Sequence, residues 1–193
     1  YKGYDLVLKT AMMLKTKGVD FVWKCYGNID PSVVEKQLGM KHEDINVLLC
    51  GVASAEQLRD EISKATVYVH TSYIDNSPNS LCEAQISGCT PIATYVCGIS
   101  SLIKNGETGF LIPANDPYQL AFLLEDLFFN PEKNLAIGKA AKEAAVVRHN
   151  PIQIVDKLLN HSRLALSKAI TAVENEYDDA VKIMTEIYPH TGN

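Results

Sequence analysis

The chain has 193 residues, 47% of them hydrophobic, and a net charge of -5. That content supports one domain with extras or two small domains, and an acidic balance without a Lys/Arg run argues against a nucleic-acid partner. No apolar stretch is long enough to span a bilayer and no signal peptide is read, so the expected location is cytoplasmic, at most peripheral at the inner membrane face.

Residues 4–17 read as a helix with Leu6, Leu8, Ala11, Met12 and Leu14 on its apolar side. Phe21 to Tyr26 reads as a strand ending at Gly27, and 32–38 as a short helix after Asp30-Pro31. Asn46 to Cys50 is a buried strand ending at Gly51, and Ser54 caps a helix running to Lys64. The strand Val67 to Val69 leads into His70-Thr-Ser-Tyr73, a helix from Pro78 ends at Gly88, and a strand covers Pro91 to Thr94. A helical turn spans 100–104, and Gly106-Glu-Thr-Gly109 turns into Phe110-Leu-Ile112. Helices are expected from Asp116-Pro117 to Phe129, over 131–147 and over 151–168, then an acidic one over 170–188. The domains are therefore placed at 1–168 and, as a helical extension, 169–193.

Apolar strands alternating with helices predict an α/β fold, with a Rossmann-like parallel sheet covered by helices on both faces. In such sheets ligands bind beyond the strand C-termini. Three loops reach that edge: Gly27-Asn28, Gly51-Val52, and the segment from Asp75 to Glu83. Cys25, Cys50, Cys82, Cys89 and Cys97 are odd in number and lack C-x-x-C spacing, so they read as reduced core or near-core thiols.

The segment Asp75-Asn-Ser-Pro-Asn-Ser-Leu-Cys-Glu83 carries the chemistry. Ser77 is expected to cap the helix and Pro78 to open it. The free N–H groups of the first turn then favour an anion in front of Ser77. Glu83, about one turn deeper, would meet neutral hydroxyls, because two anions repel. Asn79, Ser80 and Glu83 share one face, and Leu81 and Ala84 share another. A capped helix bearing a solvated Glu is the plain alternative. His70, at a strand end beside the crevice, reads as a structural histidine in preference to a ligand contact. Tyr73 either stacks on ligand or covers the sheet edge.

Taken in order, these pieces resemble the C-terminal half of a family 4 retaining glycosyltransferase of the two-domain GT-B type. The likeness runs from Lys2-Gly3 through Val47-Leu-Leu-Cys-Gly51, the E-x7-E position at Asp75 to Glu83, Gly88-Cys-Thr-Pro-Ile-Ala93, Gly106-Glu-Thr-Gly-Phe-Leu-Ile-Pro113 and Asp116-Pro117. The resemblance implies a nucleotide diphosphate sugar as donor. Lys2 would contact the diphosphate, Glu83 the ribose hydroxyls, and Asp75 the donor sugar. Asn76, Ser77, Asn79, Ser80 and Leu81 match the segment that meets sugar and phosphate, and Gly51 and Val52 would lie near the base. Asp75 and Glu83 are the catalytic candidates. The resemblance implies no metal or cofactor, and the sequence agrees, with no D-x-D pair at a strand end and no His cluster.

The chain departs from the family at Asp75, one methylene shorter than the usual Glu, at Asn76-Ser-Pro in place of G-F-G, and at Cys97-Gly-Ile-Ser-Ser101, which lacks a Glu. The family's first strand, normally central in the sheet, would precede residue 1, as would the acceptor-binding domain that takes a glycan or lipid-linked acceptor. The chain alone is therefore expected not to transfer sugar at a useful rate. Three other readings stay open: a dinucleotide enzyme, which would need G-x-G-x-x-G; a non-catalytic module keeping only the fold; and a sugar-nucleotide epimerase.

Overall fold

The computed structural model describes residues 2–160, 166, 169–170 and 179–190. Its contacts cluster into two compact units, residues 1–142 and 143–193. In the first, α1 (Tyr4–Thr16), β1 (Trp23–Tyr26), α2 (Ser32–Leu38), β2 (Val47–Gly51), α3 (Ala55–Lys64), β3 (Val67–His70), α4 (Asn79–Ser87), β4 (Thr90–Thr94), β5 (Phe110–Ile112) and α5 (Pro117–Phe129) follow one another. Then come α6 (Pro131–Arg148), α7 (Pro151–Leu159) and α8 (Asp179–Ile187). Short 3-10 turns occupy His42–Ile45, Cys97–Ser101 and Tyr188–His190.

Every strand pair is parallel. Trp23 pairs with Val47, and Tyr26 with Gly51 across a register shift. His70 pairs with Ala93, and Thr94 with Ile112. The ladders form two sheets, β1-β2 and β3-β4-β5, and no ladder joins them among the described residues. One edge of β1 and one edge of β3 are thus left without a strand. All four residues of β3 are only half-buried, whereas all five of β4 are buried.

α1 ties the two sheets together. Its apolar positions recur at helical spacing, so one face can serve both. Leu6 joins Ile92, Phe110 and Ile112 of the larger sheet. Val7, Leu8 and Ala11 join Ile45 and Val47 on the smaller one. Leu14 meets Val19 and Ala121. Leu6 and Leu8 are fully buried, each contributing roughly 1.5–3 kcal/mol. Trp23 packs against all three of these clusters. The consequence for function is positional: the first residues before α1 are held at the C-terminal end of β3.

Helix starts follow local chemistry. The expected cap at Ser54 is present as a full capping box, Ser54 Oγ accepting from the Gln57 N–H and Gln57 Oε1 accepting from the Ser54 N–H. Asp116 caps α5, whose first residue is Pro117. The expected cap at Ser77 is not formed. Pro78 is buried with ψ 120, so it is the N-cap, and α4 begins at Asn79 without a side-chain cap. The Pro78 carbonyl, not that of Ser77, heads the helix, accepting from Leu81 at 3.1 Å.

In the second unit, Ile154 and Val155 of α7 pack with Ala169 and with Ile183 of α8. Of the helix expected over 151–168, α7 covers Pro151–Leu159 and residue 160 is a turn; of the one expected over 170–188, α8 covers Asp179–Ile187, and residues 161–165, 167–168 and 171–178 lie outside the described residues. The cysteine reading needs a correction. Cys82 and Cys89 are buried, but Cys50 and Cys97 are exposed, and all five are free thiols. Cys50 lies on the edge strand β2, and Cys97 takes a left-handed φ of 43 in a surface turn.

Candidate functional site

The site forms where β3 ends, around the segment that precedes α1. Gly3 has φ 76 and lies so close to β3's end that an added Cβ would stand 2.0 Å from the Thr71 carbonyl oxygen. Only glycine fits both demands. The Thr71 hydroxyl then donates to the Lys2 carbonyl at 2.9 Å. Backbone contact and hydrogen bond together fix where the Lys2 side chain starts.

From there Lys2 Nζ reaches Asp75 Oδ2 at 3.1 Å. The lysine side chain is 67% exposed and the carboxylate 17%, so a solvent-facing cation stands over a mostly enclosed anion. His70 Nε2 approaches the same Asp75 oxygen at 3.3 Å, without the alignment of a hydrogen bond, and it has no other partner. On the ring's other edge, Nδ1 lies 3.4 Å from the Tyr68 hydroxyl, which donates to Ser80 Oγ at 2.7 Å. Burial is the main cause that pushes the Tyr68 phenol up to about 12, and the charges of Glu83 and Asp75 add to it. Tyr68 therefore feels the charge of both acids. Burial holds the His70 imidazole below its ordinary value, with Asp75 opposing and Lys2 reinforcing.

α4 supplies the remaining groups. Among the described residues, the Asn79 and Ser80 N–H groups have no hydrogen-bond partner, and the half-buried Glu83 carboxylate makes no hydrogen bond or ion pair. Free N–H groups at the start of a nine-residue helix form a local anion site. The loop before the helix rests on the 3-10 turn at Cys97–Ser101. A Cβ on Gly98 would stand 2.2 Å from the Asn76 carbonyl oxygen.

The expected site residues are thus partly assembled. Lys2, Asp75 and Ser80 belong to one polar chain, with Glu83 one helical turn along α4. Asn76, Ser77 and Asn79 are exposed at the rim. Ser80 turns back onto Tyr68 instead of facing outward with Asn79. Leu81 is fully buried with Ala93 and Ile99, and its N–H is bound to Pro78, so its side chain cannot meet a ligand. Gly51 has φ 70, and Val52 is 81% exposed after β2. No hydrogen bond or ion pair among the described residues ties either to the Lys2–Asp75 group. Thr71, Tyr68 and Gly98 were not anticipated. The Gly98 contact had one signal, the Cys97-Gly departure; Tyr68 and Thr71 had none beyond their place on β3 and just after it.

The family model described as glycosyl transferases group 1 matches residues 1–144. The chain belongs to that family. It is 34% identical over 90 residues to a D-inositol 3-phosphate glycosyltransferase of Streptomyces avermitilis, covering 47% of this chain and 19% of the relative. It is 26% identical over 151 residues to a protein of the same name from Arthrobacter, covering 72% and 34%. The chain therefore spans about a fifth to a third of these relatives' lengths. Solved structures show the same fold. The C-terminal domain of the group 1 family protein LpcC from Francisella tularensis superposes with a TM-score of 0.66 at 19% identity, covering 77% of this chain and 79% of that one. HepE from Anabaena, in complex with UDP and glucose, gives 0.66 at 18%, covering 84% and 46%. A TarM mutant from S. aureus, in complex with fondaparinux, alpha-GlcNAc-glycerol and UDP, gives 0.71 at 23%, covering 82% and 32%. The group 1 domain is a GT-B type α/β fold, as the sequence reading expected.

Proposed function

We propose that this glycosyltransferase domain binds a nucleotide diphosphate sugar at the C-terminal end of β3, and that the whole protein transfers the sugar to a glycan or lipid-linked acceptor with retention at the anomeric carbon. One observation carries the reading: a solvent-facing Lys2 on Asp75, linked through His70 and Tyr68 to Ser80 in the first turn of α4, where two N–H groups are free, with an unpartnered Glu83 one turn further along. A cation and helix N–H donors suit a diphosphate, and an unpaired carboxylate suits ribose hydroxyls. HepE bound to UDP and glucose, and TarM bound to UDP, support this choice of donor class.

As the anomeric bond breaks, negative charge grows on the departing diphosphate. Lys2, once drawn from Asp75 onto the bound diphosphate, and the Asn79 and Ser80 N–H groups stabilise that charge, which is the main way such a site lowers a barrier. Asp75 lies against the sugar, where its charge favours the cationic character developing at the anomeric carbon. The leaving group departs with its own phosphate, so no carboxylic acid is required to protonate it and no metal enters the reading. Gly51 and Val52 line the base end.

The test is a thermal-shift and calorimetric screen against UDP-, GDP- and ADP-sugars. At least one is expected to raise the melting temperature and to bind in a manner lost in Lys2→Gln and Glu83→Gln. No stabilisation by any of the three would favour a module that keeps only the fold, and stabilisation by NADH alone would favour a dinucleotide enzyme.

A further inference from the structure

Asp75 has two nitrogen neighbours of different kinds: the exposed Lys2 at 3.1 Å and the enclosed imidazole of His70 at 3.3 Å, whose side chain is 11% exposed. The hydrogen bonds around the ring indicate where its proton sits. The Tyr68 hydroxyl is bonded to Ser80 Oγ at 2.7 Å, and when its proton lies on that bond the phenol oxygen accepts from His70 Nδ1. A neutral ring then carries its proton on Nδ1 and leaves Nε2 bare, facing the Asp75 carboxylate. Two acceptors at that distance repel, and Nε2 is indeed a buried atom with no hydrogen bond. In this state Lys2 alone offsets the carboxylate's charge. A proton on Nε2 would turn the repulsive contact into an ion pair with no movement of the backbone.

We propose that His70 is a positioning residue that takes over as the cationic partner of Asp75 when a diphosphate draws Lys2 away. The proposal rests on the reading of Lys2 as the diphosphate contact. A diphosphate carries more charge than one carboxylate and is the stronger partner for Lys2. Asp75, mostly enclosed, cannot compensate by turning into water. The proton comes from solvent and lands on Nε2, and the resulting pair holds the shortened carboxylate against β3's end instead of letting it follow Lys2. The charged and titratable groups that face this ring are Lys2 and Asp75, with Tyr68 at the other edge and Glu83 and Cys82 of α4 behind Tyr68.

The direction of the linkage follows. In the free chain, burial and then Lys2 depress the ring's proton affinity, and Asp75 opposes both. Engaging Lys2 on a diphosphate removes one depressing influence, so the complex holds more protons than the free chain. Binding then strengthens as pH falls toward and through the ordinary histidine range, and the gain is lost as pH rises.

The experiment uses the chain labelled with nitrogen-15 histidine, and UDP-glucose as probe, whose diphosphate diester has no titrating group in this range. By NMR titration, Lys2→Gln is expected to raise the His70 midpoint, Asp75→Asn to lower it, and saturating UDP-glucose to raise it in the unmodified chain. By calorimetry, the unmodified chain binds UDP-glucose several-fold more tightly at about pH 5.5 than at about pH 8. His70→Gln, which keeps a neutral N–H donor there, binds but loses that dependence. Midpoints unmoved by Lys2→Gln and Asp75→Asn overturn the proposal even if His70→Gln does not fold. Binding whose pH dependence survives His70→Gln overturns this proposal alone, whereas no binding of UDP-glucose overturns the donor reading and this proposal with it.

Discussion

Gly3→Ala isolates the contact that places Lys2. At Gly3 the new methyl would meet the Thr71 carbonyl oxygen at 2.0 Å and its Cβ at 2.8 Å, and the backbone φ of 76 is itself costly for alanine. The left-handed conformation contributes about 1–2 kcal/mol, and forcing backbone apart in a packed contact about 1–3 kcal/mol more. Together the loss is roughly 2–5 kcal/mol. At about 2–4 °C per kcal/mol for a chain of this size, the melting temperature should fall by roughly 4–20 °C. Gly18→Ala is the control, because Gly18 has φ 74 but nothing within 4 Å of a Cβ. It bears only the conformational cost, about 1–2 kcal/mol. Scanning calorimetry on the three chains separates the two contributions. Affinity for UDP-glucose should drop in Gly3→Ala and stay unchanged in Gly18→Ala. Equal melting shifts for the two variants would refute the argument that close approach to Thr71 seats the Lys2 segment.

Glu83→Gln removes a carboxylate that no described residue uses, so its melting temperature should match the parent. Calorimetry should meanwhile show roughly 10- to 100-fold weaker UDP-glucose binding, the range for a hydrogen bond to a charged group. Ser54→Ala removes half of the capping box on α3 and should cost about 1 kcal/mol in urea unfolding, with no change in nucleotide binding. Asp5 gives a pH prediction. Burial works to raise its carboxyl, but hydrogen bonds from Lys9 and Tyr73 outweigh that and leave it below the ordinary carboxylate range. A depressed carboxyl stabilises the fold above its unfolded value, and the contribution disappears as pH falls through its folded value. Melting curves in acid should therefore fall less steeply for Asp5→Asn than for the parent, and an identical acid profile would count against the Asp5–Lys9–Tyr73 group.

Local signals in the sequence were sufficient for most elements. The Ser54 cap, the Asp116-Pro117 start and the glycine at 88 each satisfy hydrogen bonds within a few residues, and each marks an observed helix end. The start of α4 was misplaced by one residue because burial of Pro78, a tertiary fact, keeps it extended. Strand order was less legible. A β ladder joins residues far apart in sequence, and the half-buried pattern of β3 against the full burial of β4 emerges only once the two sheets are built. At the site, Asp75 and Glu83 stood out through their spacing. The partners of Asp75 did not, since Lys2 lies 73 positions away, and His70 looked like an ordinary strand end until Tyr68 and Asp75 were seen to bracket it. Leu81 shows which signal was the stronger: its helical spacing with Ala84 marked a packed face, and both are buried.

The central claim is that one donor molecule spans Lys2 and Glu83, and a crystal of the chain grown with UDP-glucose examines it most directly. The account predicts the diphosphate between Lys2 Nζ and the Asn79 and Ser80 N–H groups, the ribose hydroxyls on Glu83, and Lys2 withdrawn from Asp75. A nucleotide seated elsewhere, with Lys2 still on Asp75 and Glu83 facing solvent, would contradict it.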